Sequence, residues 1–367
     1  MYDMSKTCRA AVLKAVGEME IQEFPIPEIH DNDGLLKVEM VGVCGSDPHM
    51  YEGTNTNAFP LIMGHEIVGT IEEIGEYKSK ISGCKKGDRV VVETRFGCGV
   101  CEPCIQGKYN RCVEGLGYGF KIPCTKPPYL WGAYSEYLYL PERAILHKIN
   151  EDVPAEAAVL TCAVLGDSVN WLQMIGGITL DDTVVIMGPG QQGLGGVVIA
   201  REAGAKNVII TGKDRDQERF KMAKRLGADH IINVDKEDVV AKVKEYTNGE
   251  LCDIAFDCSG NPEALTQSTD FVKKGGTIVT PGLYGGKKTP IDFDTVVFGE
   301  LHIKGAHTHH MASVNKAIDI INSKKYPLQD IVTHKYTLDE AEHAVRVAGG
   351  WVEGEFPIKV VIEPNKK

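Results

Sequence analysis

A strand, a glycine-spaced turn and a helix of small residues succeed one another at Thr183-Val-Val-Ile-Met-Gly188-Pro-Gly190-Gln-Gln-Gly193. No other stretch of the chain limits its fold so narrowly. In a G-x-G-x-x-G turn, Gly188 permits the tight bend, Gly190 lets the backbone approach a pyrophosphate, and Gly193 lets the helix pack closely on the strand. The phosphates then face the helix N-terminus, where free N–H groups and the helix dipole favour anions. Glycines serving turn geometry alone are the simpler alternative, but they leave the surroundings unexplained. A helical stretch at Gly193–Ala203, an apolar strand at Asn207–Thr211 and a helix at Asp216–Leu226 fall where a nucleotide-binding unit needs them. Apolar strands at Asp253–Phe256, Thr277–Thr280 and near Leu301–Lys304 continue the alternation, which predicts a parallel, doubly wound sheet.

The chain before this Rossmann-type region has another rhythm. Short β-rich runs at Leu35–Met40, Ile67–Ile74, Arg89–Val92 and Tyr134–Leu140 are separated by Gly, Pro and polar turns, which predicts a mostly β domain. A length of 367 residues suits two domains, each with its own core. The tail adds a helical stretch, Ser313–Ser323, and an apolar run, Ile358–Ile362. Hydrophobic residues make up 43% and charged residues 25%, and no apolar run reads as long enough to span a bilayer, so no membrane partner is expected. The first residues lack the pattern of a secretory signal, which points to the cytoplasm. A formal charge of −11 disfavours a hold on a phosphate backbone, so no nucleic-acid partner is expected.

Four of the eleven cysteines crowd into Cys98-Gly-Val-Cys101-Glu-Pro-Cys104 and Cys112. In a reducing compartment such crowding suggests a metal, and four thiolates on short turns match the closed tetrahedral site of a structural zinc. An iron–sulfur cluster is the main rival. Cys8, Cys84, Cys124, Cys252 and Cys258 read as incidental or buried thiols. A further pattern is Cys44-Gly-Ser46-Asp47-Pro-His49, with Gly64-His65-Glu66 following. One thiolate and one imidazole could hold a zinc that keeps a position open to substrate. Taken alone, the pair is better explained as a buried thiol and a hydrogen-bonded core histidine.

In order along the chain stand Cys44-Gly-Ser46-Asp47, Gly64-His65-Glu66-Ile-Val-Gly69 with Gly75, Gly87-Asp88-Arg89-Val90, the four-cysteine lobe, Gly132-Ala-Tyr-Ser-Glu136-Tyr, Leu160-Thr-Cys162 and the glycine turn. In these motifs the chain resembles the zinc-containing medium-chain dehydrogenases, which include alcohol, sorbitol and threonine dehydrogenases. The resemblance implies an α/β architecture: a GroES-like, mostly β catalytic domain over 1–163 with a C-terminal part at 307–367, and a Rossmann doubly wound parallel-sheet cofactor domain over 164–306. It implies two zincs per chain, NAD or NADP, a small alcohol or carbonyl substrate, and a homodimer or homotetramer. Cys44, His65 and Cys162 would hold the catalytic zinc, and Cys98, Cys101, Cys104 and Cys112 the structural one. Glu66 would sit beside the catalytic zinc. Asp47 would accept a hydrogen bond from the His65 ring, Ser46 would take the alcohol proton, and His49 would pass it to solvent. Glu156 and Asp167 are the nearest carboxylate rivals to Cys162.

The sequence departs from the family pattern after Gly75, where Glu76-Tyr77-Lys78 opens a longer surface loop. A second departure concerns the ribose. Counting from Gly204-Ala205 puts the ribose-binding acid near Gly212, whereas counting back from Leu226-Gly227-Ala228 gives Asp214. Asp214 suits NAD, while Gly212 with Lys213 and Arg215 leaves room for a 2′-phosphate. The run His307-Thr-His309-His310 reads as a polar loop. The apolar stretch Gly275–Leu283 is expected to supply a sheet edge for subunit pairing. Met50, Tyr51, Asn57, Phe59 and Trp131 are pocket candidates for which core packing is the simpler explanation. Two other functions compete with a dehydrogenase acting on a secondary, polyol or cyclic alcohol. One is a non-catalytic nucleotide-binding or structural protein of the same fold. The other is a zinc-free quinone or enoyl reductase, which has no use for the cysteines.

Overall fold

The computed structural model describes residues 6–54 and 58–366. The chain forms two compact units, Met1–Ala163 with Ile318–Lys324 and Leu328–Lys367, and Val164–Ala317 with Lys325–Pro327. Segment 307–317 was expected with the β-rich part but belongs to the second unit. There Asn170 Nδ2 donates to Thr308 O at 2.6 Å, and His309 Nδ1 lies 3.0 Å from Asp167 Oδ1. The run His307–His310 is a loop, as expected, in which His307 is exposed and His309 is buried against a carboxylate.

The first unit contains β1 (Thr7–Ala15), β2 (Glu18–Pro25), β3 (Gly34–Val43), β4 (Leu61–Ile62), β5 (Glu66–Ile74), β6 (Arg89–Val92), β7 (Tyr137–Leu140) and β8 (Leu146–Lys148). It is completed by β15 (Val332–Thr337) and β16 (Lys359–Glu363). Its larger sheet runs β15-β16-β3-β5-β6-β8, with β7 also paired to β3, and a smaller one runs β2-β1-β4. Lys37 and Glu39 alternate outward on β3, after which Met40–Val43 is buried throughout. Period-two patterning marks one covered face, and a continuous apolar run marks two. The C-terminal β16 lies antiparallel to β3, with Val361 opposite Gly42.

The second unit holds β9 (Thr183–Met187), β10 (Asn207–Gly212), β11 (His230–Asn233), β12 (Cys252–Asp257), β13 (Val272–Thr280) and β14 (His302–Gly305) in the order β11-β10-β9-β12-β13-β14, all parallel. The order reverses beside β9, the crevice where doubly wound sheets bind nucleotides. Gly275–Leu283 does not form the sheet edge: β13 is paired on both sides, and β14 is the outer strand. The strand expected near Leu301–Lys304 is β14, whose parallel pairing of 302–305 to 277–280 extends the sheet by one strand beyond β13.

Two other expectations change. By length and composition the helical run Ala155–Gly176 could cross a bilayer, but its most apolar window is 83% buried within the protein, as in a core helix. The stretch after Gly75 is not a surface loop; it forms the helix Glu76–Ser82, and Lys78 is buried. Its Nζ donates to Glu142 O at 2.7 Å and Ala144 O at 2.6 Å, so two carbonyls replace the water that the ammonium gives up. Desolvation lowers the Lys78 pKa to about 8. Between that value and the ordinary 10.5, the unfolded chain binds more protons than the folded one. Stability from this group therefore rises with pH across that window. Chemical denaturation of wild type and Lys78→Met from pH 7.5 to 10.5 is expected to diverge, wild type gaining up to about 1 kcal/mol per pH unit relative to the variant. Parallel pH profiles would contradict this.

Candidate active site and metal centres

The glycine turn has the geometry that its spacing implies. Gly188 has φ +98°, Gly190 caps the helix Gln191–Glu202 with open space where a Cβ would stand, and a Cβ on Gly193 would lie 1.9 Å from Gly188 O. The turn thus leaves backbone N–H groups at an unobstructed helix start. Gly212 ends β10 against Pro189 of the same turn, where a Cβ would fall 2.7 Å from the proline ring. Lys213, Asp214 and Arg215 follow, all exposed. Asp214 Oδ1 accepts from Asn233 Nδ2 at 2.9 Å and pairs with Lys236, whose ammonium holds the carboxyl below its usual range.

Among the described residues, one group places three or more metal-binding side chains together: Cys98, Cys101, Cys104 and Cys112 offer sulfurs within 4.8 Å of one another. Cys98 N–H donates to Cys112 Sγ at 3.2 Å, and Cys101 N–H to Cys98 Sγ at 3.4 Å. Partial desolvation raises the Cys112 pKa, but backbone N–H groups from Cys98, Gly115 and Glu114 outweigh it, bringing the thiol to about 6. Backbone donors lower Cys101 as well. Desolvation instead raises Cys104 to about 12. Four converging sulfurs, two of them lowered by amide donors, fit a thiolate-bound zinc.

Cys44 follows the last residue of β3, and the short helix Ser46–Tyr51 begins two residues later; His65 directly precedes β5, which Glu66 opens. Gly64 has φ +90°, and a Cβ there would lie 2.4 Å from the Tyr134 ring, so the turn into His65 requires glycine. Asp47 is fully buried. Its Oδ2 accepts from Cys44 N–H and from the Tyr134 hydroxyl, each at 2.8 Å, while its Oδ1 faces His65 Nδ1 at 3.6 Å, longer than a hydrogen bond. Ser46 Oγ stands 3.5 Å from His65 Nε2. His49 is exposed, with Nδ1 3.4 Å from Thr54 Oγ1. Burial, with Glu66 and Asp47 nearby, pushes the Cys44 thiol up to about 12. Cys162 lies on the π-helical turn Thr161–Gly166, buried, its sulfur 3.7 Å from Val92 O. Cys44, His65 and Cys162 do not reach the mutual spacing of the lobe sulfurs. The rival carboxylates are engaged elsewhere: Glu156 pairs with Lys335, and Asp167 with His309.

Two participants carried no sequence assignment. Tyr134 orients Asp47, and Lys359 forms a fully buried pair with Glu66 while also donating to Val43 O at 3.0 Å. A Cβ on Gly42 would fall 2.1 Å from Glu66 Oε2, so the pair occupies room that a side chain would fill. Lys359 was detectable as a charge opening a strand whose next three residues are apolar; Tyr134 lies in the Gly132–Tyr137 motif, but nothing in that motif gives it a partner. The pocket candidates Met50, Tyr51 and Trp131 are core residues, the Tyr51 hydroxyl bonding Gly17 O and Glu342 and the Trp131 ring N–H bonding Lys126 O. Asn57 lies outside the described residues.

Residues 30–151 match the alcohol dehydrogenase GroES-like domain, and residues 193–323 the zinc-binding dehydrogenase domain. A Mycobacterium tuberculosis protein named a probable alcohol dehydrogenase is 36% identical over 97% of this chain and 98% of its own. The chain belongs to the zinc-dependent alcohol dehydrogenase family. A sorbitol dehydrogenase from Halalkalibacterium halodurans is 33% identical over 95% of this chain and 96% of its own. A solved structure from Sinorhizobium meliloti 1021, described as a zinc-binding dehydrogenase bound to NADP, superposes with a TM-score of 0.87 at 26% identity, covering 98% of this chain and 100% of that one. The protein is therefore an enzyme, a zinc-dependent oxidoreductase acting on alcohols with NAD or NADP, built of a GroES-like part and a Rossmann part. For this dehydrogenase, Cys101→Ser is expected to lose one zinc per chain by metal analysis and about 3 kcal/mol or more of stability by denaturant titration. A fully stable variant with unchanged zinc content would contradict the geometry of the lobe.

Proposed function

We propose that Cys44, His65 and Cys162 are the protein donors of the catalytic zinc, with Glu66 beside them, and that the lobe cysteines hold the structural zinc. The reading rests on one observation above others: Glu66 Oε1 is buried without a hydrogen-bond partner among the described residues, as are His65 Nδ1 and Asp47 Oδ1, which face each other at 3.6 Å. Groups this costly to bury suit a pocket completed by a cation. The donor set, two thiols and an imidazole, suits zinc with a position left for substrate. When bound, zinc supplies a Lewis acid for an alcohol or carbonyl oxygen, and the nicotinamide nucleotide supplies the hydride exchange.

The chain's own residues then divide the work. Asp47, fixed by Cys44 N–H and the Tyr134 hydroxyl, faces Nδ1 of His65, where its negative charge favours the tautomer protonated at Nδ1 and leaves Nε2 free to donate electrons. Ser46 Oγ, beside that nitrogen, accepts the proton of the substrate hydroxyl, and the exposed His49 ring passes it to solvent. Gly188, Gly190 and Gly193 seat the pyrophosphate at the helix start. With the Asp214 carboxylate already neutralised by Lys236, Lys213 and Arg215 are available to a ribose 2′-phosphate, which favours NADP.

A secondary alcohol of the polyol class is the substrate we infer, supported by the sorbitol dehydrogenase relative. The exposed apolar side chains Phe293, Val297 and Phe298, in the same unit as the outer strand β14, support assembly as a dimer or tetramer. Four cysteines gathered as a metal-binding group support a cytoplasmic location.

Cobalt placed in the catalytic site is expected to show thiolate charge-transfer absorption that weakens in Cys162→Ser, with turnover falling more than about tenfold. An unchanged spectrum and wild-type turnover would remove Cys162 from the donor set. Arg215→Ala is expected to raise KM for NADP about tenfold while leaving that for NAD unaltered. Equal effects on both nucleotides would exclude a 2′-phosphate contact.

A further inference from the structure

Glu93 follows directly on β6 and is 1% exposed, yet no step above uses it. Both of its oxygens are engaged. Oε1 lies 2.7 Å from Nε2 of the buried His147 on β8, and Oε2 accepts from the Tyr109 hydroxyl. His147 pairs with Val91 in the β6–β8 register, and strand alternation puts its ring and the Glu93 side chain on one face.

Tyr109 is part of the cysteine lobe. It opens the turn Tyr109–Arg111, its carbonyl accepts from Cys112 N–H at 2.9 Å, and a Cβ on Gly97 would strike both Cys104 Sγ at 2.4 Å and Tyr109 Cβ at 2.8 Å. The neighbours of Glu93 in the chain reach the other centre. Val92 O is the carbonyl on which Cys162 Sγ rests, and Thr94 Oγ1 donates to His65 O at 2.8 Å. Three consecutive residues thus connect the lobe, β8 and two of the proposed catalytic zinc donors. Buried hydrogen bonds of this kind hold geometry firmly, because breaking one strands a desolvated charge.

We propose that Glu93 is a positioning residue coupling the two metal centres: a lobe ordered by its zinc fixes Tyr109, Tyr109 fixes Glu93, and the end of β6 thereby sets the placement of His65 and Cys162. The inference rests on the reading of both metal sites given above. Chelator-driven zinc release from the full-length, zinc-loaded enzyme tests it, the phase accelerated by Cys162→Ser marking the catalytic centre. Tyr109→Phe deletes one hydroxyl and no proposed ligand, and is expected to accelerate that phase about tenfold. Glu93→Gln, which can still accept from Tyr109, is expected to stay within about threefold. Tyr139→Phe, whose hydroxyl bonds Asp33 at 3.0 Å in the same unit, is expected to leave it unchanged, separating positioning from general loss of stability. If Cys162→Ser accelerates a phase that Tyr109→Phe does not, or if Tyr139→Phe matches Tyr109→Phe, the coupling is wrong. If no phase responds to Cys162→Ser, the donor set itself is wrong.

Discussion

The buried pair of Glu66 and Lys359 is the constraint around which the catalytic unit is arranged. Neither side chain reaches water, and each is tolerable only because of the other. Removing one partner from such a pair costs several kcal/mol, on the order of 3–5, because the survivor keeps its desolvation penalty. The pair spans three strands: Glu66 enters β5, Lys359 opens β16, and β3 runs between them with Gly42 leaving the space. Strand order, register and the absence of a side chain at one position are therefore tied to a single electrostatic contact. The Cys44 turn continues from the same strand.

The two sets of sulfurs differ in what surrounds them. In the lobe, backbone N–H groups are aimed at sulfur and bring Cys112 to about 6, while desolvation pushes Cys104 up to about 12. Around Cys44, burial and two carboxylates push the thiol to about 12. The first setting stabilises thiolates by local turn geometry and needs little from the rest of the molecule. The second gathers a thiol and two carboxylates in a largely buried pocket, which is costly until cations compensate them. That difference in surroundings accompanies the proposed division into a structural and a catalytic site.

Legibility in the sequence followed the range of the interactions. The glycine turn, the cysteine spacing and the strands Arg89–Val92 and Thr183–Met187 are local patterns, and the folded chain places them where those patterns predict. Contacts between distant segments were not legible. Tyr134 reaches Asp47 across 87 residues, and no local spacing records it. Lys78 looked like surface charge because burial is fixed by the carbonyls of Glu142 and Ala144, over sixty residues away. The sheet edge was misplaced for a related reason: the strand near Leu301–Lys304 was legible, but its place outside β13 is decided by pairing between segments and not by local pattern. Segment 307–317 was assigned by family order, whereas its hydrogen bonds to Asn170 and Asp167 decide its unit.

Glu66 and Lys359 are separated by 293 positions along the chain, with every strand of the nucleotide sheet between them. During synthesis, domains tend to fold as units from the N-terminal side. The ribosome therefore finishes all six strands of the nucleotide sheet before it makes the cation that Glu66 requires. Until then β3 lacks its β16 neighbour and one carboxylate has no counter-charge. The first unit to be started is the last to be closed, and a translation product that stops short of Lys359 has a complete nucleotide sheet and an incomplete catalytic one.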